Sequence, residues 1–342
     1  MSHNRLLVIR LSSIGDVVLT TPLVRRLRAK FPNAEIHFLT KPAFAPLVLY
    51  NPNLTKVFTP ETFNKASFYD ICIDLQHNRH SAQLRPYART TLRYRKENWK
   101  KFLLVNFKVN LYSGYTSTAE RYINAVAPLG LADDNEGCEI FLDDASKAFA
   151  AKQVEQNSNR PKPSVLAVAY GARHFTKRFP AERFSSVLNR LLEKYALEIW
   201  LLGGKEDSTI GEEIYRSIAQ KEQVKNFAGT CSLLESAALI ERADAMLCND
   251  TGLMHIAAAF QKPIVALFGS SVAEFGFLPY RSPHSILEVK NLTCRPCSHI
   301  GRDRCPEKHF RCMTDIDDER IIAAVETMLR IDQSTLSNLN NK

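Results

Sequence analysis

Short aliphatic runs alternate with amphipathic stretches along most of the chain, and they do so in two separate series. In the first, residues 6–10, 35–39, 56–58 and 71–75 read as strands, with one helical stretch running on to Lys30 and another near 43–50. In the second, strands are expected at 165–170, 198–202, 224–227, 245–248 and 264–268, with helices at 181–195, 208–220, 233–242 and 253–260 between and after them. Strands that alternate with helices lie parallel, because each helix carries the chain back across a face of the sheet. Two series therefore predict an α/β chain of two doubly wound, Rossmann-like domains. The stretch QVEQNSNRPKP, residues 153–163, has two prolines and no apolar periodicity and reads as the linker. The expected boundaries are 1–155 for the first domain and 164–316 for the second. An amphipathic helix over 317–331 is expected to pack back on the first domain, and a polar tail from Asp332 to Lys342 to be disordered.

A length of 342 residues is enough for two separate cores. Apolar residues make up 45% of the chain, yet no apolar run reaches the ~18 residues of a membrane-spanning helix. The N-terminus, MSHNRLLVIRLSS, enters a strand without the charged, apolar and small-residue regions of a secretory signal, so a cytoplasmic location is expected. Cys72, Cys138, Cys231 and Cys248 are scattered in apolar segments, which fits reduced, buried thiols. The net charge of +9 implies an anionic partner: nucleic acid, a phospholipid surface or a phosphorylated small molecule.

Open α/β sheets bind ligands beyond the carboxyl ends of their strands, so the strand-to-helix turns are where chemistry is expected. The first turn reads Ser12-Ser13-Ile14-Gly15-Asp16. It has one glycine where a dinucleotide-binding turn has three, and a carboxylate where a phosphate would sit. The turn Asn249-Asp250-Thr251-Gly252 opens a helix whose free N–H groups and dipole suit a diphosphate, with Gly252 letting the backbone approach. Plain N-capping by Asp250 or Thr251, and a packed helical His255, are the alternatives. The basic loop 170–180 offers Lys177 as a point charge for phosphate, or is simply solvated. After the strand 198–202, Gly203-Gly204-Lys205-Glu206 places Glu206 where it could accept from ribose hydroxyls, although Gly-Gly turns are common.

Two further segments stand out. Between Arg79 and Lys101 lie eight Lys or Arg against one Glu, interleaved with Tyr87, Tyr94 and Trp99. By itself this pattern suits nucleic acid, or a solvated basic face with its aromatics turned inward. Cys294, Cys297, Cys305 and Cys312 follow C-x2-C-x7-C-x6-C spacing, which would suit a structural zinc, reduced thiols or disulfides.

Together, RLLVIRLSSIGDVVLTTPLVRRL, the element Lys177-Arg178-Phe179-Pro180, NDTGLMHIAAAFQKPIVALFGSS and the cysteine-rich segment resemble the ADP-heptose:lipopolysaccharide heptosyltransferases, glycosyltransferase family 9. The resemblance runs over nearly the whole chain. It implies a GT-B architecture, two Rossmann-like domains facing across a cleft, with acceptor and catalytic base on the first and the sugar nucleotide on the second. It implies Asp16 as the base, Lys177, Asp250, Thr251 and Gly252 at the diphosphate, His255 in support and Glu206 at the ribose. Ser13, Gly15, Arg79 and Arg85 would lie on the acceptor side. The implied reaction is an inverting single displacement of ADP that requires no cofactor and no catalytic metal, leaving zinc at the four cysteines as a structural matter only. One carboxylate is enough for it, because a sugar hydroxyl needs one group to take its proton as the new bond forms.

On this resemblance the segment 79–101 becomes a mobile arm for a phosphorylated, Kdo-bearing lipid A acceptor, with no nucleic acid involved. It would also draw a monomeric enzyme to the cytoplasmic leaflet of the inner membrane. A transferase using another nucleotide sugar or acceptor, and a non-catalytic protein that binds a sugar nucleotide or anionic glycan, remain open from the sequence.

Overall fold

The computed structural model describes residues 5–154 and 163–330. The linker core and the polar tail expected from the sequence lie outside the described residues. The first domain runs β1 (Arg5–Ile9), α1 (Ile14–Val18), α2 (Thr21–Lys30), β2 (Glu35–Leu39), α3 (Pro46–Leu49), β3 (Lys56–Phe58), β4 (Phe68–Asp74), α4 (Arg79–Leu84), β5 (Tyr87–Arg93), α5 (Asn98–Phe107), α6 (Thr118–Asn124) and α7 (Asp144–Val154). The second runs β6 (Ser164–Ala169), α8 (Ala181–Lys194), β7 (Leu197–Leu201), α9 (Ser208–Arg216), β8 (Val224–Asn226), α10 (Leu233–Arg242), β9 (Ala245–Asn249), α11 (Gly252–Ala259), β10 (Ile264–Phe268), β11 (His284–Glu288), α12 (Arg311–Thr314) and α13 (Asp318–Leu329).

Both sheets are parallel throughout, ordered β3-β2-β1-β4-β5 and β11-β10-β9-β6-β7-β8. Counted from each domain's own first strand, these orders are 3-2-1-4-5 and 3-2-1-4-5-6, the doubly wound pattern. The direction of winding reverses between β1 and β4 in one domain and between β6 and β9 in the other. In open sheets of this kind the ligand crevice lies beyond the carboxyl ends of those strands. The central strands are buried on both faces, with Leu6, Val8, Val168, Met246 and Ala266 inaccessible, as expected where helices cover both sides.

The sequence predicts one helix from the first turn to Lys30, but the chain breaks it at Leu19-Thr20 and restarts with Pro22 in the first turn of α2. Proline has no N–H to donate within a helix and is tolerated at a helix start. Two strands escape the sequence reading. β5 alternates exposed and half-buried residues on the outer edge of its sheet, and β11 lies on the other sheet's edge.

The expected return of the last helix to the first domain is corrected. α13 packs on α8, β9, β10 and β11, burying Ile321, Ile322 and Val325 at about 1.5–3 kcal/mol each. Arg183, Arg190 and Lys194 of α8 pair with Asp318, Glu319 and Glu326 along it. The helix that does change sides is α7, which the sequence boundary leaves in the first domain. It packs on α10, with the Phe149 and Phe227 rings 6.4 Å apart and Lys225 Nζ donating to the Gln153 carbonyl at 2.6 Å.

Candidate active site

The two strand-to-helix turns at the reversal points face each other. α1, after β1, packs directly against α11, after β9. Each helix contributes a glycine at the contact. A Cβ on Gly15 would run into the His255 imidazole, and one on Gly252 would lie 2.7 Å from Ile14 Cβ. No residue with a side chain would allow this approach unless its neighbour moved. Further contacts fix the same closure: Thr118 N–H donates to the Gly276 carbonyl at 2.8 Å, and the Arg121 guanidinium donates to the Glu274 and Phe275 carbonyls.

Asp16 stands at the third position of α1. Its Oδ1 accepts from Arg10 Nη2 at 2.6 Å and from the Tyr122 hydroxyl at 3.2 Å; its Oδ2 accepts from the Ser13 N–H at 3.2 Å and the Ser13 hydroxyl at 3.0 Å. The bond from the Ser13 N–H caps the helix start. Arg10 is itself locked by donating to the Ser12 and Leu75 carbonyls, both at 2.8 Å. Burial alone would raise the pKa of Asp16. The Arg10 guanidinium and the Ser13 donors outweigh it and hold the carboxyl below its ordinary value. Tyr122 is pushed well above its ordinary value, mainly by burial, and so remains a neutral donor.

Across the contact, Asp250 is almost sealed. Its Oδ2 accepts from Lys177 Nζ at 2.6 Å and from the Ser271 hydroxyl at 2.6 Å. Burial pushes its pKa up, but Lys177 and Ser271 carry it below its ordinary value. Asn249 ties the turn to the loop after β6, donating to the Tyr170 carbonyl at 2.5 Å and accepting from the Phe179 N–H at 3.1 Å. Thr251 is the N-cap residue of α11, and its side chain makes no capping bond. His255, one turn in, is buried within range of the charges of both Asp250 and Asp16. Burial pushes its pKa down to about 4, so it is neutral at pH 7. Its Nδ1 is buried without a hydrogen-bond partner among the described residues.

Cations crowd the crevice around Asp16. Lys96 and Lys101 are both held below the ordinary lysine value by burial, and then by the nearby charges of Arg10 on Lys96 and of Arg121 and Lys96 on Lys101. His299, on the second domain, is lowered by desolvation and by Lys101, Lys177 and Lys96. Lysines from the two domains therefore converge on one space. That concentration of positive charge suits an anion.

The structure brings Ser13, Gly15, Asp16, Lys177, Asp250, Thr251, Gly252 and His255 together. Glu206 is exposed on the turn after β7, one strand from β6. Arg79 is exposed at the start of α4, after β4. Arg85 is turned toward the fully buried Asp74, its Nε 3.7 Å from Oδ2. The segment expected to be a mobile arm is folded into α4, β5 and the start of α5. Sequence reading missed Arg10, Tyr122, Arg121 and His299 and did not separate Lys96 and Lys101 from the other cations of the basic run. The run signals positive charge but not which side chains turn inward.

All eight cysteines are free thiols. Among the described residues no group of three or more His, Cys, Asp or Glu side chains is placed to hold a metal ion, although Cys294 Sγ lies 3.8 Å from His309 Nε2. The four-cysteine segment as described does not form the tetrahedral site that its spacing would suit.

The profile of glycosyltransferase family 9 (heptosyltransferase) matches residues 65–308. The chain belongs to this family. It is a glycosyltransferase of GT-B architecture. It is 25% identical to lipooligosaccharide heptosyltransferase 2 of Haemophilus ducreyi over 95% of this chain and 99% of that protein. Two solved structures share its fold. A family 9 glycosyl transferase from Veillonella parvula has a TM-score of 0.78 and 23% identity, over 97% of this chain and 99% of that one. The E. coli ADP-heptose lps heptosyltransferase II has a TM-score of 0.72 and 21% identity, over 95% and 98%.

Proposed function

We propose that this family 9 transferase moves heptose from ADP-heptose to the inner core of lipopolysaccharide by a single displacement, with Asp16 as general base. The donor and lipopolysaccharide assignments are supported by the names of its relatives, and the inner core by the family resemblance of the sequence. The observation that carries the mechanism is the meeting of two unlike turns at one helix contact: an ionised carboxylate on the first domain opposite a lysine and a helix N-terminus on the second.

The acceptor hydroxyl attacks the anomeric carbon from the first-domain side. The bond from that carbon to the phosphate oxygen breaks, and ADP leaves with the electron pair on the opposite face, which inverts the centre. The hydroxyl proton passes to Asp16. All four donors around Asp16 are in place before substrate enters, and the Ser13 hydroxyl, at the exposed side of Oδ2, is the one the acceptor hydroxyl replaces. A carboxylate kept below its ordinary pKa is a weak base toward a free alcohol, but the alcohol becomes acidic as its oxygen bonds to carbon, so transfer late in the step suffices.

Lys177 has three donors and Asp250 takes one; the others and the free N–H groups of α11 receive the diphosphate, whose charge grows as the bond breaks. Thr251 and Gly252 form the turn that the phosphates meet, His255 supports it from beneath as a neutral imidazole, and Glu206 accepts from the ribose. Lys96, Lys101, Arg121 and Arg79 face the phosphates and acid sugars of the acceptor. No catalytic metal and no cofactor enters, and the protein works as a monomer at the cytoplasmic face of the inner membrane.

The test is ADP release from ADP-heptose with a soluble, delipidated inner-core oligosaccharide. Release by the native protein, its loss in Asp16→Asn, and an undiminished thermal shift of that variant by ADP are the expected results. A stronger thermal shift with UDP than with ADP would overturn the donor assignment.

A further inference from the structure

We propose that α5 and the segment after it form a membrane-docking face that seats the protein on an anionic bilayer with the crevice mouth at the lipid surface. The inference deepens the proposed function and rests on its lipid-linked acceptor. It starts from where the exposed apolar side chains are. Among the described residues twelve large hydrophobics are exposed, and six of them fall within residues 99–115: Trp99, Phe102, Phe107, Val109, Leu111 and Tyr115. The other six are spread over the rest of the described chain.

α5 is short of burial for a helix in a folded domain. Leu104 is its one buried residue. At 100° per residue, Trp99, Phe102, Leu103, Asn106 and Phe107 share an arc of about 140°, and Leu104 lies outside it. Trp99, Phe102 and Phe107 are 58%, 57% and 63% exposed, and the two phenylalanine rings lie 5.8 Å apart. A contiguous aromatic surface of this kind marks an interaction site rather than a solvated face.

The charges say what covers it. Lys100 Nζ sits 5.8 Å from the Trp99 ring and 5.5 Å from that of Tyr112, and Arg93 and Arg95 are exposed just before the helix. Aromatic rings bordered by long cationic side chains are the pattern of a helix lying in the headgroup region. There the rings enter the acyl boundary and the cations stay with the phosphates. The helix is also rigidly placed. Lys108 Nζ, at its carboxyl end, donates to the Cys294 and Pro296 carbonyls of the second domain at 3.2 and 2.8 Å. Lys101, on the side away from the aromatic arc, is one of the cations felt around Asp16. One helix thus offers aromatics to the bilayer and Lys101 to the crevice, and an acceptor whose lipid stays in the membrane reaches Asp16 along it.

The test uses vesicles of phosphatidylethanolamine and phosphatidylglycerol that contain no acceptor, with phosphatidylcholine vesicles as control. The chain has two tryptophans and Trp200 is fully buried, so a change in emission on mixing reports Trp99. Expected are a blue shift, quenching by bromine-labelled acyl chains, and co-sedimentation with the anionic vesicles only. The double variant Phe102→Ser/Phe107→Ser should partition about tenfold more weakly or worse, in line with the loss of two buried rings. Its ADP release with soluble oligosaccharide acceptor should stay unchanged, which shows that it folds. Absence of vesicle binding, binding with Trp99 emission unaltered, or partition that survives the double variant would each overturn the proposal. So would a blue shift that grows with protein concentration without lipid, since a second copy would then cover the face. Because soluble-acceptor turnover is read separately, failure here and failure of the transferase assignment are told apart.

Discussion

The turns after β1 and β9 are built alike and do different work. Each follows a central strand, opens a helix, carries a glycine that admits a residue of the other, and holds a carboxylate kept ionised by a cation. The difference lies in what the carboxylate is left with. Asp16 is paired with Arg10, the residue just after β1, and its side chain keeps 16% of its surface open. Asp250 keeps 6% and spends its charge on Lys177, brought in from a separate loop. The first arrangement leaves a carboxylate able to meet a substrate, while the second leaves a lysine positioned to meet one. Equivalent places in two similar folds thus supply opposite charges to one crevice, as a displacement with a base on one side and a leaving anion on the other requires.

Removing each carboxylate in turn breaks the comparison most sharply. Asp16→Asn should lower turnover by about 10²-fold or more, the usual range for a lost general base, while ADP still raises the melting temperature as in the native protein. Asp250→Asn should instead lose stability, by about 3 kcal/mol or more, because Lys177 is left partly buried without its counter-charge. Its ADP-induced thermal shift should shrink with it. If both variants lost turnover and ADP response in parallel, the two turns would not have separate roles.

Gly15→Ala is expected to come next in size. The new methyl meets the His255 ring, so α1 and α11 must separate or repack, at a cost of about 1–3 kcal/mol. Turnover should fall with the displacement of Asp16 from the donor turn. His255→Ala clears the space, and the double variant should recover stability relative to the sum of the single changes. Additive single effects, measured by thermal unfolding, would show that the two residues do not meet.

Much of this arrangement is legible in the sequence. The alternation of strands and helices gives both sheets, and SSIGD and NDTG stand out among the strand-to-helix turns where ligands are expected; that both lie at reversal points follows only from the strand order. What escaped depends on residues far apart in the chain. Arg10 looks like the last residue of a strand, and only folding shows it against Asp16. Tyr122 lies 106 positions from the carboxylate that its hydroxyl contacts. β5 was hidden because an edge strand needs only one apolar face and carries arginines on the other, the means by which edges avoid further pairing. α13 is amphipathic wherever it packs, so its pattern shows that it has an apolar stripe and not which domain receives it.

A pH dependence separates His255 from the carboxylates on either side of it. His255 titrates near 6.5 when unfolded and about 4 when folded. Between those values the unfolded chain binds the proton and the folded one does not, so stability increases with pH across the window and its contribution is complete above about 6.5. The slope from this one group approaches about 1.4 kcal/mol per pH unit at its steepest. Asp16 and Asp250 are lowered in the folded state, so their contribution is present above about 3.9 and lost as pH falls below it through their folded values. The two windows barely overlap. Urea unfolding of the native protein and of His255→Gln from pH 4 to 7 should therefore give a difference that grows toward neutral pH and levels off above about 6.5. A flat difference would mean that the imidazole between the two turns is open to water, and the close contact of α1 with α11 would have to be given up.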